Sequence, residues 1–299
     1  MKILYLGLPL GALCLLREGH QLVAACISRP SMPGMRRLRR ALAAAEAPLL
    51  GRPDLTQPSV RALLAATDPD LVVSWFWTRR VPATVLALAP HGGVNVHPSL
   101  LPRHRGADPY FWTILEGDAE TGVTAHWMTP QYDEGDVIAQ RRLPVPPDVN
   151  AGQLARALDR PSLQMLCDVV RAVERGEVSA APQDHGLATA APRPSDEDCE
   201  LAWDAPVDAV LRRVRAAAPD PGAFTGFGDD TVVILRARRA SQRLRGLDPG
   251  DVVRTPEGVA VVCADGAILV LEAQREADGR RFTGAAVADL FPGVTAVGA

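Results

Sequence analysis

The first half of the chain alternates apolar segments with segments of helical periodicity. The apolar segments are KILYLGL, LVAACIS, DLVVSWF and GVNVH. Each is almost continuously hydrophobic, which is typical of parallel strands that are covered on both faces. Residues 36–47 and 59–66, which lie between these segments, are predicted as helices. The pattern predicts an α/β fold with a doubly wound, mostly parallel sheet, whose functional loops lie at the carboxyl ends of its strands.

The second half of the chain changes character. TGVTAHWM and DVIAQRRLPV predict two further strands, and residues 152–175 predict a helix. The stretch AAPQDHGLATAAPRPS consists mostly of Ala, Pro and polar residues and is predicted as a linker. A predicted helix at 206–217 precedes short strands with Gly and Asp turns, the pattern of a small antiparallel barrel. We therefore expect one domain over 1–180, a linker over 181–203 and an OB-like β-barrel domain over 204–299.

The first twenty residues imitate a signal peptide, because a lysine precedes an apolar stretch. Pro9 interrupts that stretch, no A-x-A cleavage site follows, and the next apolar segment reads as a buried strand. We therefore predict a strand over 2–8, a turn over 9–11 and a helix that ends at Glu18. No later segment approaches the roughly 18 uninterrupted apolar residues of a membrane span, so no membrane partner is expected.

Charge and cysteine content exclude several classes of protein. The 299 residues carry a net charge of -3, so binding to nucleic acid would require a local basic patch. Five cysteines without a C-x-x-C pair argue against a disulfide framework and a zinc site, and we expect a cytoplasmic protein without a metal. GLPLG does not match the dinucleotide fingerprint, and no P-loop pattern is present, so a nicotinamide cofactor is not expected.

The segment GVNVHPSLLPRHRG places two polar side chains at the end of a predicted strand. Asn95 and His97 share one face of that strand because they are two residues apart, and Pro98 ends it. An imidazole can move protons near neutral pH, and an amide N–H can stabilise a developing oxyanion. A lone polar strand end is also compatible with capping or packing, so the pair by itself does not define a site.

NVHPSLLPRHRG, followed after an intervening strand by DEGDVI, resembles the 10-formyltetrahydrofolate-dependent formyltransferase family. The shared features are the Asn-x-His pair, the S-L-L-P turn, the R-G pair and an Asp two residues before a Gly. SWFWTRRVP, ETGVTAHWM, LAWDAP and DPGAFT extend the resemblance over nearly the whole chain. It implies an enzyme for one-carbon transfer with a Rossmann-like domain, which uses 10-formyltetrahydrofolate as formyl donor and no metal.

The resemblance also implies which residues form the site. Asn95, His97 and Asp133 take the catalytic positions. Asp133 beside His97 is expected to favour the imidazolium and raise its pKa. Trp75 and Trp77 fit either stacking on a flat ring or packing in the core. The residues implied for the folate pocket are Arg79, Arg80, Val81, Ser99, Leu100, Leu101, Pro102, Thr129, Pro130, Gln131 and Tyr132.

The sequence favours a small-molecule amine as acceptor, such as a nucleotide-linked amino sugar, with methionyl-tRNA as the alternative. RGADPYFW departs from the RGAAPI that is usual in methionyl-tRNA formyltransferases, and residues 29–50 are shorter than their basic insertion. Residues 200–299 contain 12 arginines against 14 acidic residues, whereas a tRNA-binding barrel should be basic. Ala107 argues against an amino sugar as acceptor, because the UDP-sugar enzymes have an Arg at the corresponding position.

Three other interpretations fit the sequence less well. The formyltetrahydrofolate hydrolases resemble the chain but carry an N-terminal regulatory domain, whereas Met1 here opens directly on the first predicted strand. Glycinamide-ribonucleotide formyltransferases lack the C-terminal barrel. A non-catalytic folate-binding module is disfavoured because all three catalytic positions are filled.

One basic cluster has no assigned role. It is predicted to be a solvated helix face, or else a binding surface for phosphate or for the glutamates of folate. The sequence does not indicate an oligomeric state. Its residues are Arg29, Arg36, Arg37, Arg39 and Arg40.

Overall fold

The computed structural model of the chain describes residues 1–228, 230–242, 244 and 246–294. These residues form two compact units. No helix in the described part of the chain has both the length and the hydropathy needed to cross a membrane. Unit 1 comprises Met1–Pro109, Glu120–Pro144 and Arg156–Pro192, and unit 2 comprises Tyr110–Ala119, Val145–Ala155 and the described residues from Arg193 onward.

Unit 1 is built on a seven-stranded sheet. Its strands are β1 (Lys2–Gly7), β2 (Gln21–Ile27), β3 (Leu49–Gly51), β4 (Leu71–Trp75), β5 (Gly93–His97), β6 (Glu120–Trp127) and β7 (Val137–Pro144). Their spatial order is β3-β2-β1-β4-β5-β6-β7. The first five strands pair in parallel, and β6 and β7 pair antiparallel at one edge. The order reverses at the β1–β4 pair, as in a doubly wound α/β sheet, so the predicted fold class is confirmed.

Continuously apolar strands are buried because residues on both of their faces meet apolar neighbours. Leu4 and Leu6 of β1, Cys26 of β2 and Val72 of β4 share one core cluster.

The helices are α1 (Pro9–Arg17), α2 (Met35–Ala44), α3 (Pro58–Ala65), α4 (Ala83–Leu86), α5 (Pro109–Leu115) and α6 (Ala151–Arg175). The turn predicted over 9–11 is instead the first turn of α1, where a proline is accommodated because the N–H at this position needs no helical partner.

Part of the predicted linker belongs to unit 1. Ala181 pairs with Val137 of β7, and Ala190 pairs with Arg105. The side chain of Gln183 is also buried. Such pairing uses backbone groups, so a composition of Ala, Pro and polar residues does not prevent it. The linker prediction over 181–203 therefore does not describe its first twelve residues, which belong to unit 1 although most of their side chains are exposed.

Unit 2 carries an antiparallel sheet. Its helices in the C-terminal part of the chain are α7 (Asp196–Cys199) and α8 (Val207–Ala217). Its strands are β8 (Ala223–Phe227), β9 (Asp230–Arg239), β10 (Val252–Thr255), β11 (Gly258–Cys263), β12 (Gly266–Arg275) and β13 (Arg281–Thr283). The strand order is β10-β11-β12-β9-β8, and β13 pairs with β12. The predicted antiparallel β domain is thereby confirmed.

Candidate active site

The pairing of β5 with β6 places two polar side chains together in an otherwise apolar sheet. Asn95 lies opposite His126, and His97 lies opposite Thr124. Asn95 Nδ2 is 3.1 Å from His126 Nε2. His126 is not among the residues predicted from the sequence, where its only signal is a histidine inside a strand that is apolar on both sides. Two neighbouring strands thus bring an amide and an imidazole into contact.

Asp133 lies in the loop between β6 and β7, in a backbone conformation that only a few residue types adopt readily. Its φ is 55°, in the left-handed region that Asp tolerates better than most residues. Gly135 follows two residues later, and a Cβ there would lie 1.8 Å from the Trp127 carbonyl oxygen. The loop therefore needs a glycine at this position to turn tightly against β6. This requirement explains the D-x-G spacing in the sequence.

The carboxylate of Asp133 is the centre of the cluster. Oδ1 lies 3.4 Å from Asn95 Nδ2 and 3.4 Å from His126 Nε2. Oδ2 accepts a hydrogen bond of 3.0 Å from the Gly106 N–H and lies 3.5 Å from His97 Nδ1. The structure therefore brings together the three residues predicted as catalytic. Gly106, the glycine of the R-G pair, contributes through its backbone.

Asp133 is ionised in this environment although it is only 9% exposed. Burial by itself raises the pKa of a carboxyl group. Here that effect is outweighed by His97, by His126 and by the Gly106 N–H, which together lower the pKa of Asp133 to about 2. The cluster therefore holds a fixed negative charge at neutral pH.

The ring of His97 has one nitrogen, Nδ1, that is not held by a backbone carbonyl. Nε2 lies 2.8 Å from the backbone carbonyl oxygen of His104, which can only accept, so Nε2 carries a hydrogen. Burial lowers the pKa of His97 below 6.5 and outweighs the opposing effects of Asp133 and of that carbonyl. Asp133 raises the pKa of His97, as expected, but desolvation of the imidazolium dominates, so the net pKa lies below its ordinary value. At neutral pH His97 is uncharged, with the lone pair on Nδ1.

The tautomer of His126 follows from the same reasoning. Nδ1 lies 2.8 Å from the carbonyl oxygen of Trp127 and must donate to it. In the neutral ring Nε2 is then an acceptor, and it receives a hydrogen from the Asn95 amide. This contact fixes which side of the amide is nitrogen, so the N–H groups of Asn95 face Asp133 and His126.

A buried glutamine anchors the loop that carries Asp133. Gln183 Nε2 donates to the backbone carbonyl oxygens of Asp133, at 2.8 Å, and of Gly135, at 2.7 Å. Its Oε1 accepts from Arg105, at 2.7 Å from Nη2 and 3.1 Å from Nε. Arg105 also lies 3.6 Å from Glu134. Gln183 is not among the residues predicted from the sequence, because its segment has the composition of a linker.

The S-L-L-P turn is held from behind by β6 and β7. The hydroxyl of Thr124 donates to the Ser99 carbonyl, at 2.7 Å, and accepts from the Leu101 N–H, at 3.2 Å. Gln140 donates to the Leu101 carbonyl, at 2.8 Å. Ser99 and Leu101 are buried, so these side chains are part of the support beneath His97. Pro102 follows at the end of the turn, and a direct role of this turn toward folate stays a prediction.

A pocket of about 40 Å³ opens beside Asn95, His126 and Asp133. Seven of the eleven residues predicted for the folate pocket line it, and the S-L-L-P turn is not among the described lining residues. The guanidinium of Arg80 lies 5.2 Å from the centre of the Tyr132 ring, a cation–π contact. The seven are Arg79, Arg80, Val81, Thr129, Pro130, Gln131 and Tyr132.

The two tryptophans at the end of β4 have different environments. Trp75 is 2% exposed and donates from Nε1 to Ser162 Oγ, at 3.0 Å, so it belongs to the core. Trp77 lines the pocket and packs against the core cluster behind it. Of the two rings, only Trp77 is placed to contact a bound molecule in this pocket.

The cluster supplies the functions that acyl transfer to an amine needs. A neutral imidazole can accept a proton at His97 Nδ1, and the Asp133 carboxylate, 3.5 Å away, can stabilise the resulting cation. The Asn95 amide borders the pocket, and the N–H group that makes only the long 3.4 Å contact with Asp133 can turn to donate to an oxygen that gains negative charge. Groups that can serve as base, oxyanion donor and charge partner therefore lie within one buried network.

Comparison with known proteins gives a consistent result across the chain. The model of the formyl transferase family matches residues 13–170, and that of the formyl transferase C-terminal domain matches residues 194–287. Methionyl-tRNA formyltransferase from Syntrophus aciditrophicus is 33% identical over 288 residues, which is 92% of each protein. The protein of the same name from Anaeromyxobacter dehalogenans (strain 2CP-C) is 38% identical over 290 residues, 92% of this chain and 93% of the relative.

Solved structures share the fold at lower identity. HypX from Aquifex aeolicus, in complex with tetrahydrofolic acid, matches with a TM-score of 0.68 at 22% identity. The match covers 99% of this chain and 48% of HypX, so the chain spans about half of that protein. The N-formyltransferase from Helicobacter canadensis, in complex with folinic acid and dTDP-3-aminofucose, matches with a TM-score of 0.66 at 13% identity, over 92% of this chain and 99% of that one.

Proposed function

The chain belongs to the formyl transferase family, and we propose that it transfers a formyl group from 10-formyltetrahydrofolate to the amino group of methionyl-tRNA. The observation that carries this choice of acceptor is the similarity to methionyl-tRNA formyltransferases at 33% and 38% identity, over more than nine tenths of each chain. The likeness to the sugar enzyme rests on 13% identity and supports a common fold only. The expectation of a small amine is therefore replaced by its alternative.

The side chains that line the pocket beside the catalytic cluster are of the kinds that a folate donor would contact. Trp77, Val81 and Met128 give it apolar walls, against which a flat ring system can pack. Arg79 and Arg80 stand at the same pocket and are exposed, where they can pair with glutamate carboxylates. The folate supplies the formyl group as an activated carbonyl.

Each residue of the cluster has a separate role in formyl transfer. His97 Nδ1 receives the proton that the acceptor amine loses and returns it to the departing nitrogen, which keeps the proton balance closed. Asp133 stabilises the imidazolium between these two steps, because its carboxylate lies 3.5 Å from Nδ1. Asn95 donates to the formyl oxygen while that oxygen carries negative charge. Its amide is already oriented by His126.

The positive charge on the exposed face of helix α2 favours RNA as the acceptor. Leu38 and Leu42 are buried on one side of this helix. Its arginines are exposed on the other side, and no acidic residue occurs between Glu18 and Glu46. Such a face attracts phosphates, which dominate the affinity of nucleic-acid contacts. The acidic balance of residues 200–299 does not oppose this, because a contact surface is a local property. These exposed residues are Arg36, Arg37, Arg39 and Arg40.

The test is a comparison of acceptors under one set of conditions. The purified protein and 10-formyltetrahydrofolate are incubated with methionyl-tRNA, with uncharged tRNA, or with a dTDP- or UDP-linked amino sugar. We expect formylation of methionyl-tRNA alone, with kcat/KM in the usual enzymatic range of about 10⁴–10⁸ M⁻¹s⁻¹. Faster formylation of the amino sugar would overturn the proposed acceptor while leaving formyl transfer intact. Absence of any folate-dependent product would overturn formyl transfer as well.

One sequence feature favours the small amine as second candidate. RGADPYFW follows the S-L-L-P turn at 105–112, where methionyl-tRNA formyltransferases usually have RGAAPI. Asp108 of this segment stands in unit 1 beside the R-G pair. Replacement of Asp108 with Ala in the same acceptor assay shows whether the departure matters. A variant that gains activity on methionyl-tRNA and loses it on an amino sugar would support the second candidate.

A further inference from the structure

Two cysteines that are far apart in the sequence meet at the rim of a large cavity. Cys14 lies on α1 and Cys167 on α6, and their sulfurs are 3.0 Å apart. Cys14 is half-buried, whereas Cys167 is 5% exposed. The cavity has a volume of about 920 Å³ and is lined by both cysteines. All of its lining residues belong to unit 1.

The cavity carries an excess of positive charge. Five arginines line it, against the two carboxylates of Glu18 and Asp168. Arg171 pairs with both of these acids. Arg17 reaches to 4.0 Å from the Cys14 sulfur. An anionic molecule is therefore drawn toward the half-buried thiol. The five arginines are Arg17, Arg37, Arg141, Arg160 and Arg171.

We propose that Cys14 and Cys167 form a dithiol site that reacts with an anionic small-molecule disulfide of the glutathione type and closes to an intramolecular disulfide. Cys14 is the entry point because it is the more exposed of the two sulfurs. Cys167 resolves the adduct because it lies against Cys14 and behind it. The cysteines Cys26, Cys199 and Cys263 are buried and stay reduced.

The exchange balances in two steps. The Cys14 thiolate attacks one sulfur of the external disulfide, forms a mixed disulfide and releases one thiolate. The Cys167 sulfur then attacks Cys14 Sγ, forms the bond between the two residues and releases the second thiolate, which takes the proton that Cys167 loses. In sum two protein thiols are oxidised, and one external disulfide is reduced to two thiols. The product joins α1 to α6 and closes a loop of more than a hundred residues.

The native protein treated with glutathione disulfide provides the test, read by intact mass and peptide mapping. We expect the wild type to lose the mass of two hydrogens and to yield a linked Cys14–Cys167 peptide. Dithiothreitol should restore the original mass. Cys167→Ser should retain one glutathione on Cys14, and Cys14→Ser should take up none. A stable glutathione adduct on the wild type, or equal modification of the buried cysteines, would overturn the site.

Two controls keep the result interpretable. Cys14→Ala is prepared beside Cys14→Ser, and the melting temperature of each reduced variant is compared with that of the reduced wild type, so that loss of reaction is not confused with unfolding. The oxidised wild type should melt roughly 5–15 °C above the reduced protein, because a long closed loop restrains the unfolded chain. An oxidised protein that melts at or below the reduced one would mean that the bond strains the fold, against the proposed geometry.

The role of charge is tested separately. The double variant Arg141→Gln, Arg160→Gln removes two positive groups from the cavity without touching either cysteine. Closure by glutathione disulfide should slow roughly tenfold, while closure by the neutral bis(2-hydroxyethyl) disulfide should keep its rate. Equal slowing with both reagents would overturn the preference for an anionic disulfide.

Discussion

The buried cluster around Asp133 and the exposed arginine face of α2 are both polar, but their physical situations are opposite. In the cluster, His97 and His126 are 4% and 2% exposed, and each has a hydrogen-bond partner. On α2, the arginines project into solvent. Charges interact strongly over a few ångströms in a buried site, whereas salt screens those that act through water. Loss of one residue should therefore be severe and insensitive to salt in the first region, but mild and salt-dependent in the second.

The largest effect is expected for His97→Ala. It removes the proton acceptor, and positioned acid–base groups typically contribute about 10²–10⁴-fold to turnover. The kcat for formyl transfer should fall by that factor, with KM for the folate changed little. The folding of the variant is checked by thermal melting. A normally folded His97→Ala enzyme with near-wild-type kcat would refute the role of His97.

Asn95→Ala should cause the next largest loss of kcat after His97→Ala. Removal of an oxyanion donor costs about 10²–10³ in kcat. Because Asn95 also contacts His126 and Asp133, its loss should not add to that of His97 in the double variant. Single-turnover rates of the two single variants and the double variant measure this. Fully additive losses would show that the residues act independently.

Asp133→Asn should change the pH profile as well as the rate, with a rate loss of roughly ten- to a hundredfold. The acidic limb of kcat/KM reports the pKa of His97 in the free enzyme, and burial already lowers that pKa below 6.5. Loss of the carboxylate removes an effect that raises this pKa, so the limb should move to still lower pH. Glu134→Gln, in the neighbouring residue, should leave the limb in place. A limb that moves upward in Asp133→Asn would contradict neutral His97 as the base.

Gln183 is predicted to act by positioning the catalytic loop. Gln183→Glu keeps an acceptor for Arg105 but loses the two hydrogen bonds to the carbonyls of Asp133 and Gly135. Displacement of a catalytic group by a fraction of an ångström costs roughly tenfold or more, so kcat should fall with KM almost unchanged. Gln183→Ala should behave alike. A variant that loses stability but keeps kcat would indicate a purely structural role.

The smallest effect is expected on α2. Arg36→Gln, Arg39→Gln and Arg40→Gln together should raise KM for methionyl-tRNA several-fold at physiological salt, because each arginine acts on a phosphate through screening solvent. The slope of log kcat/KM against log salt should become shallower by roughly one for each phosphate that the variant no longer neutralises. The KM for the folate is the internal control. An unchanged slope of log kcat/KM against log salt would show that α2 does not contact the phosphates of the RNA.

The apolar and polar pattern alone determined most of the fold and placed two polar side chains together at the end of one strand. Continuous apolar runs predicted the parallel strands, because both faces of such strands must meet apolar neighbours. The two-residue spacing of Asn95 and His97 placed them on one face, because strand side chains alternate. The D-x-G spacing belongs to the family resemblance, and in the structure it forms a tight turn that requires a glycine at Gly135. Each of these inferences depends on residues that are close in the chain.

Only the tertiary structure decided the contacts between distant segments. Gln183 reaches the loop of Asp133 from a stretch that composition assigned to a linker, and Cys14 meets Cys167 across 153 positions. His126 faces Asn95 through a strand register that the sequence does not state. The direction of the net pKa shift of His97 was likewise decided by the tertiary structure, because it depends on how far burial outweighs the charge of Asp133. Local spacing cannot report burial, which is set by everything that packs around a group.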